Sequence, residues 1–360
     1  MNPTSNPTSK VLTIDCLADP HVHLRQDPAV MSDLIKYSIE GGADYVGAMP
    51  NTTPGLTTAE GVLEYHALCK SLMVSKSSGT LGIIKFLMLT ENTPIEEIER
   101  CVQAGIVNAK LYPLDRTTNS RDGIRNYHRM LPLVRKCGEL GMMCHFHPEH
   151  PWLDISGRDA EHLFVPIVEM FLHDTQAKIV WEHGTDGRCA RLWEIWAVRF
   201  PNRFFVTLTP HHLAYDDDMD HGDVTATCKP PIKSKDDRRT LVELVGRNYP
   251  WVMLGSDSAY HPRNKKHVDI GCCACGALTA PFLAALCAHA LDEIISRPHG
   301  PGIFENFVSK NARRVHDLPG ASKRITLVRD PWKVPFTYDV GGNEALPFMC
   351  GQEIKWQIKA

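Results

Sequence analysis

The sequence predicts an α/β protein, a (β/α)₈ barrel of the TIM type with a C-terminal extension. Three observations carry that reading. Short apolar segments of strand length alternate with helical segments along most of the 360 residues. The strand segments are almost continuously apolar, as a parallel sheet covered on both faces requires. Groups able to bind a metal, move a proton or hold a substrate recur where these strands end, the face on which such barrels carry their chemistry.

The elements follow in order. Residues 1–10 are polar, contain Pro3 and Pro7, and read as a disordered tail. Val11 to Leu17 is the opening strand, running into Asp19-Pro20-His21-Val22-His23-Leu24-Arg25. Met31 to Glu40 reads as a helix stopped by Gly41-Gly42, and Tyr45 to Asn51 as the second strand. Thr58 to Val74 is helical and Leu81 to Thr90 is the third strand. Pro94 opens a helix to Val102, with acidic residues in its first turn. Val107 to Pro113 is the fourth strand, followed by a polar loop at 114–120. Ile124 to Cys137 is a helix, Met142 to His147 the fifth strand, Asp159 to His173 a helix, and Ala177 to His183 the sixth strand. Ala190 to Arg199 is helical and Phe204 to Pro210 is the seventh strand. Residues 211–234 read as an irregular connection. Asp236 to Arg247 is a helix, Trp251 to Asp257 the eighth strand, and Thr279 to Ile295 and Ile303 to Arg314 are closing helices. The barrel is therefore expected over 11–314. Residues 315–360, with Pro331, Pro335, Pro347 and Gly341-Gly342, are expected to pack on it as an extension.

Composition narrows the function. The chain is 43% hydrophobic and 22% charged, with a net charge of −3. It has no basic field of the kind that holds nucleic acid or an anionic membrane. The start has no apolar leader segment, and Ala280 to Leu291 is too short to span a bilayer. The expectation is a cytoplasmic protein whose 12 cysteines are reduced and mostly buried.

The strand exits read His21/His23, Asn51, Lys110/Tyr112, His147, His183, His211 and Asp257. Alternation puts His21 and His23 on one face, about 6–7 Å apart, where two imidazoles can grip one divalent cation. Arg25 continues that alternation. In Cys144-His145-Phe146-His147 the two histidines again share a face, and position favours His147 as the last residue. Asp257 is either a cap on the following segment or a metal-binding carboxylate and general base. Lys110 lies in an apolar strand where an ammonium is costly to bury. It either pairs with an acid, contacts substrate, titrates low, or captures CO₂ as a carbamate with two oxygens that can bridge two metals. Gly271-Cys272-Cys273-Ala274-Cys275-Gly276 lacks a second cysteine pair at zinc-site spacing and reads as a loop with incidental thiols. Lys229-Pro230-Pro231-Ile232-Lys233 is a solvated loop or the wall of an anion site.

Taken together and in this order, several motifs resemble the dihydroorotases of the metal-dependent amidohydrolase superfamily, of the shorter, stand-alone type. They are His21-Val22-His23-Leu24-Arg25, Met49-Pro50-Asn51, Ala109-Lys110-Leu111-Tyr112-Pro113, Thr117-Thr118-Asn119-Ser120, Trp181-Glu182-His183, Thr209-Pro210-His211-His212-Leu213 and Leu254-Gly255-Ser256-Asp257-Ser258-Ala259. The resemblance covers about Leu12 to Lys359. It implies reversible cyclisation of N-carbamoyl-L-aspartate to (S)-dihydroorotate, a step of pyrimidine synthesis, in a homodimeric enzyme of the cytoplasm that binds neither nucleic acid nor membrane. It implies two Zn²⁺ per subunit: His21, His23 and Asp257 on the inner, His147 and His183 on the second, and Lys110 as its CO₂ carbamate (N6-carboxylysine) bridging them. It implies Asp257 as the proton carrier and Arg25, Asn51 and His261 as ligands of the substrate carboxylate. Thr117 and Thr118 are implied on a closing loop, and Lys229 and Ala274 as backbone contacts. Three departures touch the substrate side. Lys229 stands where an apolar residue is usual, Pro148 replaces a glycine, and the longer Cys-rich loop leaves its contact open between Ala274 and Cys275. Rival readings are another cyclic amidase such as a dihydropyrimidinase, which need not bind a ring carboxylate, and a non-catalytic assembly partner, which should have lost ligands.

Overall fold

The computed structural model describes residues 11–74 and 80–359. The tail expected at 1–10 lies outside the described residues. Strand segments close into a parallel ring. Leu17–His23 pairs with Ala43–Ala48, which pairs with Gly82–Ile84. Leu87–Met88 continues that third segment and pairs with Asn108–Leu111. Met143–Phe146, Ile179–Trp181, Phe204–Leu208 and Val252–Leu254 follow, each parallel to its neighbour. Ser258–Ala259 completes the eighth segment and pairs with Val22 and His23 of the first, which closes the barrel. Among the helices that cover it are Pro28–Glu40, Ala59–Val74, Ile95–Gln103, Leu131–Glu139, Val165–Asp174, Ala190–Arg199 and Lys235–Gly246.

The local signals act as their chemistry dictates. Asp27 caps the first helix by accepting from the Ala29 and Val30 amides at 3.0 Å, with Pro28 in the first turn. Ser234 and Asp237 form a capping box on Lys235–Gly246.

Several expected elements are redrawn. The opening strand is divided. Val11–Asp15 leaves the barrel and pairs antiparallel with Arg324–Val328, which also takes Gln357–Ile358. The first barrel strand begins only at Leu17. The third strand breaks between Ile84 and Leu87, where Phe86 packs edge-on against the His145 ring at 4.8 Å. The eighth breaks between Leu254 and Ser258, where Asp257 adopts a φ of 49°. The expected helices at 124–137 and 159–173 start late, after 3₁₀ turns, because Pro132 and Pro166 suit only a first helical turn. The 279–295 segment is likewise broken, into Ala280–Phe282, Leu283–Ala290 and Asp292–Ile295. Within the expected irregular stretch, Thr209 caps a short helix, Pro210–Ala214.

Outward-facing Trp181 packs against Trp193 at 5.5 Å and Trp196 at 6.1 Å, filling the space between strands and helices. Truncating such a buried ring to alanine costs about 3–5 kcal/mol. Inside the barrel, Ala18, Met143, Val180, Phe205 and Met253 meet Ala312 and Val315 in a separate apolar cluster. This plug floors the interior and leaves the opposite, C-terminal end to polar groups.

His316 lies beside the plug. Its ring stacks on His145 at 5.4 Å, and neither nitrogen has a hydrogen-bond partner among the described residues. Burial pushes its pKa down to about 3. The unfolded chain binds this proton near pH 6.5, so the folded state loses stability as pH falls through that value, and the loss levels off near the folded pKa of about 3. His316→Phe should therefore show a smaller drop in Tm between pH 7 and pH 5 than the natural chain, measured by scanning calorimetry; equal drops would refute the assignment.

Candidate metal centre and substrate pocket

The site begins with a bulge. Asp19 faces Val46 and Val22 faces Ala48, so the first strand carries one extra residue between these pairs. Gly47 permits it, since a Cβ there would lie 2.0 Å from the Pro20 carbonyl oxygen. Past the bulge, His21 and His23 turn toward the barrel axis with ring centroids 5.5 Å apart.

Both histidines meet the eighth strand. His21 Nε2 lies 3.2 Å and His23 Nε2 2.9 Å from the same Asp257 Oδ1. The other His21 nitrogen, Nδ1, meets Glu182 Oε2 at 2.9 Å. His183 brings its ring to 5.2 Å from His21 and 4.6 Å from His147. Donor atoms of His21, His183 and Asp257 all lie within 4.8 Å of one another. His147 Nε2 is held by Glu149 Oε2 at 2.7 Å. His145 turns to a different role: its Nδ1 meets Glu182 Oε1 at 2.5 Å, away from His147. Lys110 is fully buried, and its Nζ has no hydrogen-bond partner among the described residues.

The electrostatics suit a cation. Burial drives His23 down to about 4, and it also lowers His147 and His183, so these imidazoles are neutral and keep a lone pair. Burial pushes Asp257 up, but His21 and His23 outweigh it and hold the carboxylate well below its usual range. Burial brings Lys110 down to about 8, against the pull of Glu182 and Asp257. His183 Nδ1 is buried without a partner among the described residues, and Glu182 and Glu149 fix the rings of His21 and His147 from behind. A carboxylate behind a histidine is the usual support of a metal ligand. Neutral His23, His147 and His183, an ionised Asp257 and orphaned nitrogens on one small volume fit a divalent metal, and, against burial, Glu182 and Asp257 raise the basicity of His21 beside them.

The substrate side is equally definite. Arg25 does not continue the strand: its φ is 62°, and the strand ends at His23. Its Nε and Nη2 donate to the Tyr260 carbonyl at 3.1 and 2.7 Å, and Nη2 faces His261 Nε2 at 3.2 Å. His261 Nε2 also faces the Cys275 carbonyl at 2.9 Å, so its tautomer either donates to Cys275 or accepts from Arg25. Burial, with Arg25 second, brings His261 down to about 3. The 114–120 loop lies over the second strand exit: Asn51 Nδ2 donates to the Thr118 carbonyl at 2.9 Å, and Asn119 returns a bond to Asn51 O at 3.0 Å. Thr117 is tied back to Ser120. Burial pushes Glu149 up, but the bond and charge of His147, and after them half-buried Lys229, outweigh it and keep the carboxylate below its usual range. The Ala274 amide is donated to Lys265 O at 2.8 Å, which counts against Ala274 as a donor to a ring.

Other groups fall outside this constellation. His211 is buried beside His212 with both ring nitrogens unpartnered among the described residues, while His212 is bonded to Thr209 and to the Pro230 carbonyl. All 12 cysteines are free thiols. Sequence reasoning missed Glu182 and Glu149. The signal for Glu182 was available: an acidic residue between Trp181 and His183 at the end of an apolar strand must be paired if it is buried.

No protein-family model matches the chain. Curated dihydroorotases from Salmonella paratyphi B and Coxiella burnetii are each 30% identical to it over 98% of this chain and 99% of their own. The chain belongs to the dihydroorotase family. Members of this family are cyclic amide hydrolases. Among solved structures, the Saccharomyces cerevisiae dihydroorotase in complex with 5-fluoroorotic acid has a TM-score of 0.88 at 25% identity, covering 97% of this chain and 98% of that one. The Campylobacter jejuni dihydroorotase has a TM-score of 0.83 at 27% identity, covering 100% and 99%. An L-hydantoinase from Arthrobacter aurescens, at 14% identity and a TM-score of 0.80 over 96% and 82%, shares the fold.

Glu182→Gln should weaken retention of divalent metal about 10- to 100-fold, the usual effect of removing a carboxylate behind a metal-binding histidine. Metal analysis during competition with a chelator measures this, and unchanged retention would exclude Glu182 from the centre.

Proposed function

We propose that the enzyme interconverts N-carbamoyl-L-aspartate and (S)-dihydroorotate in de novo pyrimidine synthesis, using a centre of two Zn²⁺ ions at the C-terminal end of the barrel. His21, His23 and Asp257 would hold one ion, His147 and His183 the other, and Lys110 as its carbamate would join them. The observation that carries this reading is the convergence of His21, His183 and Asp257 in a chain kin to dihydroorotases over 98% of its length. The buried, unpartnered Lys110 Nζ supports the carbamate, because a neutral amine can add CO₂ and release one proton, giving the site an anion in place of a cation. When bound, the metals supply Lewis acidity and a water acidified to a pKa of about 7.

The chain's own groups do the rest. In ring opening, Asp257 takes the proton of the attacking water and returns it to the ring nitrogen as the C–N bond breaks. In ring closure the same carboxylate takes the proton from the ureido nitrogen and passes it to an oxygen of the substrate carboxylate under attack, which with one further proton from solvent leaves as water as the C–N bond forms. Arg25, Asn51 and His261 receive the substrate carboxylate. With its Nε–Nη2 edge already on Tyr260 O, Arg25 meets the anion with the end of its fork, a planar match that lysine lacks. His261, held neutral by burial, lines this end of the pocket without adding a second charge. Lys229 and the 274–275 backbone wall the ring, and Thr117 and Thr118 close the loop against water. Among the described residues no helix is long and apolar enough to cross a membrane. A cytoplasmic homodimer is the assembly we propose.

A ring-opening assay with dihydroorotate, paired with metal analysis, tests the reading. We expect turnover with about two zinc ions per chain, and Arg25→Met should raise KM about tenfold or more with metal content unchanged. Absence of turnover by folded, metal-replete protein would falsify the substrate assignment. Lys110→Ala should abolish activity and regain part of it with small carboxylic acids, which replace the lost carbamate oxygens; no regain in a folded variant counts against the carbamate.

A further inference from the structure

Lys266 is a buried cation that the reaction does not use. It ends the short helix Arg263–Lys266, five residues after His261, and is only 2% exposed. Its Nζ donates to three backbone carbonyls, Thr227 at 3.0 Å, Ala274 at 3.0 Å and Gly276 at 2.9 Å. An ammonium has three donors, and these carbonyls take all of them. No ion pair joins it among the described residues. Burying a cation without a counter-anion is costly, and an apolar side chain would fill the same volume more cheaply.

The three carbonyls belong to two separate segments. Thr227 leads into Cys228-Lys229, and Ala274 and Gly276 flank Cys275. The Cys275 carbonyl is the one that faces His261 Nε2 at 2.9 Å. A direct bond from the Gly276 amide to the Thr227 carbonyl, at 2.9 Å, runs beside the lysine. Gly276 has a φ of 152°, and a Cβ there would lie 2.8 Å from Ala259 Cβ and 3.0 Å from His261 Cδ2. The loop is thus pressed against the eighth strand and against His261. Lys266 holds it there from behind.

We propose that Lys266 is a positioning residue, whose ammonium clamps the 227–229 and 274–276 segments together and so sets the wall and the His261 orientation that receive the acidic ring substrate. It touches neither metal nor substrate. Lysine suits the task because its three hydrogens spread around one atom, whereas arginine presents a planar fork. The assignment rests on the reading that His261 and the 274–275 backbone meet the substrate.

The test uses the metal-loaded enzyme with dihydroorotate. Lys266→Met should raise KM at least about threefold, with kcat within about twofold of the natural enzyme and metal content unchanged, because only uniform substrate binding is disturbed. Lys266→Arg, which keeps the charge but not the geometry, should move KM in the same direction by less. A Lys266→Met enzyme with KM moved less than about threefold, or with kcat reduced instead of KM raised, would overturn the proposal. If Lys266→Met does not fold, Lys266→Arg decides by the direction of its KM. His261→Ala separates the two readings. An unmoved KM in that variant removes the substrate wall itself. A raised KM there, beside an unmoved KM in Lys266→Met, removes only the role of Lys266.

Discussion

The interior of the barrel depends on one buried anion. Glu182 receives His21 Nδ1 at 2.9 Å, His145 Nδ1 at 2.5 Å and Thr207 Oγ1 at 2.6 Å. Burial alone would raise its pKa, but the charge of unmodified Lys110, that of His21 and the bonds from His145 and His21 outweigh burial and keep it ionised. Thr207 also receives the His183 amide at 2.7 Å, so the same carboxylate reaches the backbone of the next residue along its own strand. Four strand ends thereby meet at one side chain. A buried charge without partners is strongly destabilising, so each of these groups constrains where the others can sit.

Around that centre the strand ends depart from regular geometry where chemistry is needed. The first strand bulges, and the eighth breaks before Ser258. Arg25, His183 and Asp257 all have positive φ, at 62°, 38° and 49°. Non-glycine residues adopt that region at some cost, and they persist in it when surrounding bonds hold them. The Arg25 guanidinium on Tyr260 and the Asp257 amide on the His21 carbonyl are such bonds.

The rim loops are organised by backbone carbonyls. Lys266 gathers three of them, Arg25 takes Tyr260 O, and Asn51 takes Thr118 O. Charged and amide side chains thus fix loops whose flanking residues, among them Ala226, Cys228 and Ala277, pack in an apolar cluster of their own.

Alternation of apolar strands with helices was enough to predict the barrel, because burial on both faces of a parallel sheet leaves a period that local sequence must carry. The same rule placed His21, His23, Lys110, His183 and Asp257 at strand exits. It did not reveal that Val11–Asp15 belongs to a sheet with Arg324–Val328, since that pairing spans the whole chain and no local pattern encodes it. Strict alternation also puts Glu182 and His183 on opposite faces. The positive φ at His183 ends the alternation and lets both converge on His21, and sequence periodicity cannot show such a turn. The fate of His145 against His147, the turn at Arg25 and the three carbonyls on Lys266 were decided in the same way. They rest on contacts between segments far apart in the chain, so only the closed barrel could determine them.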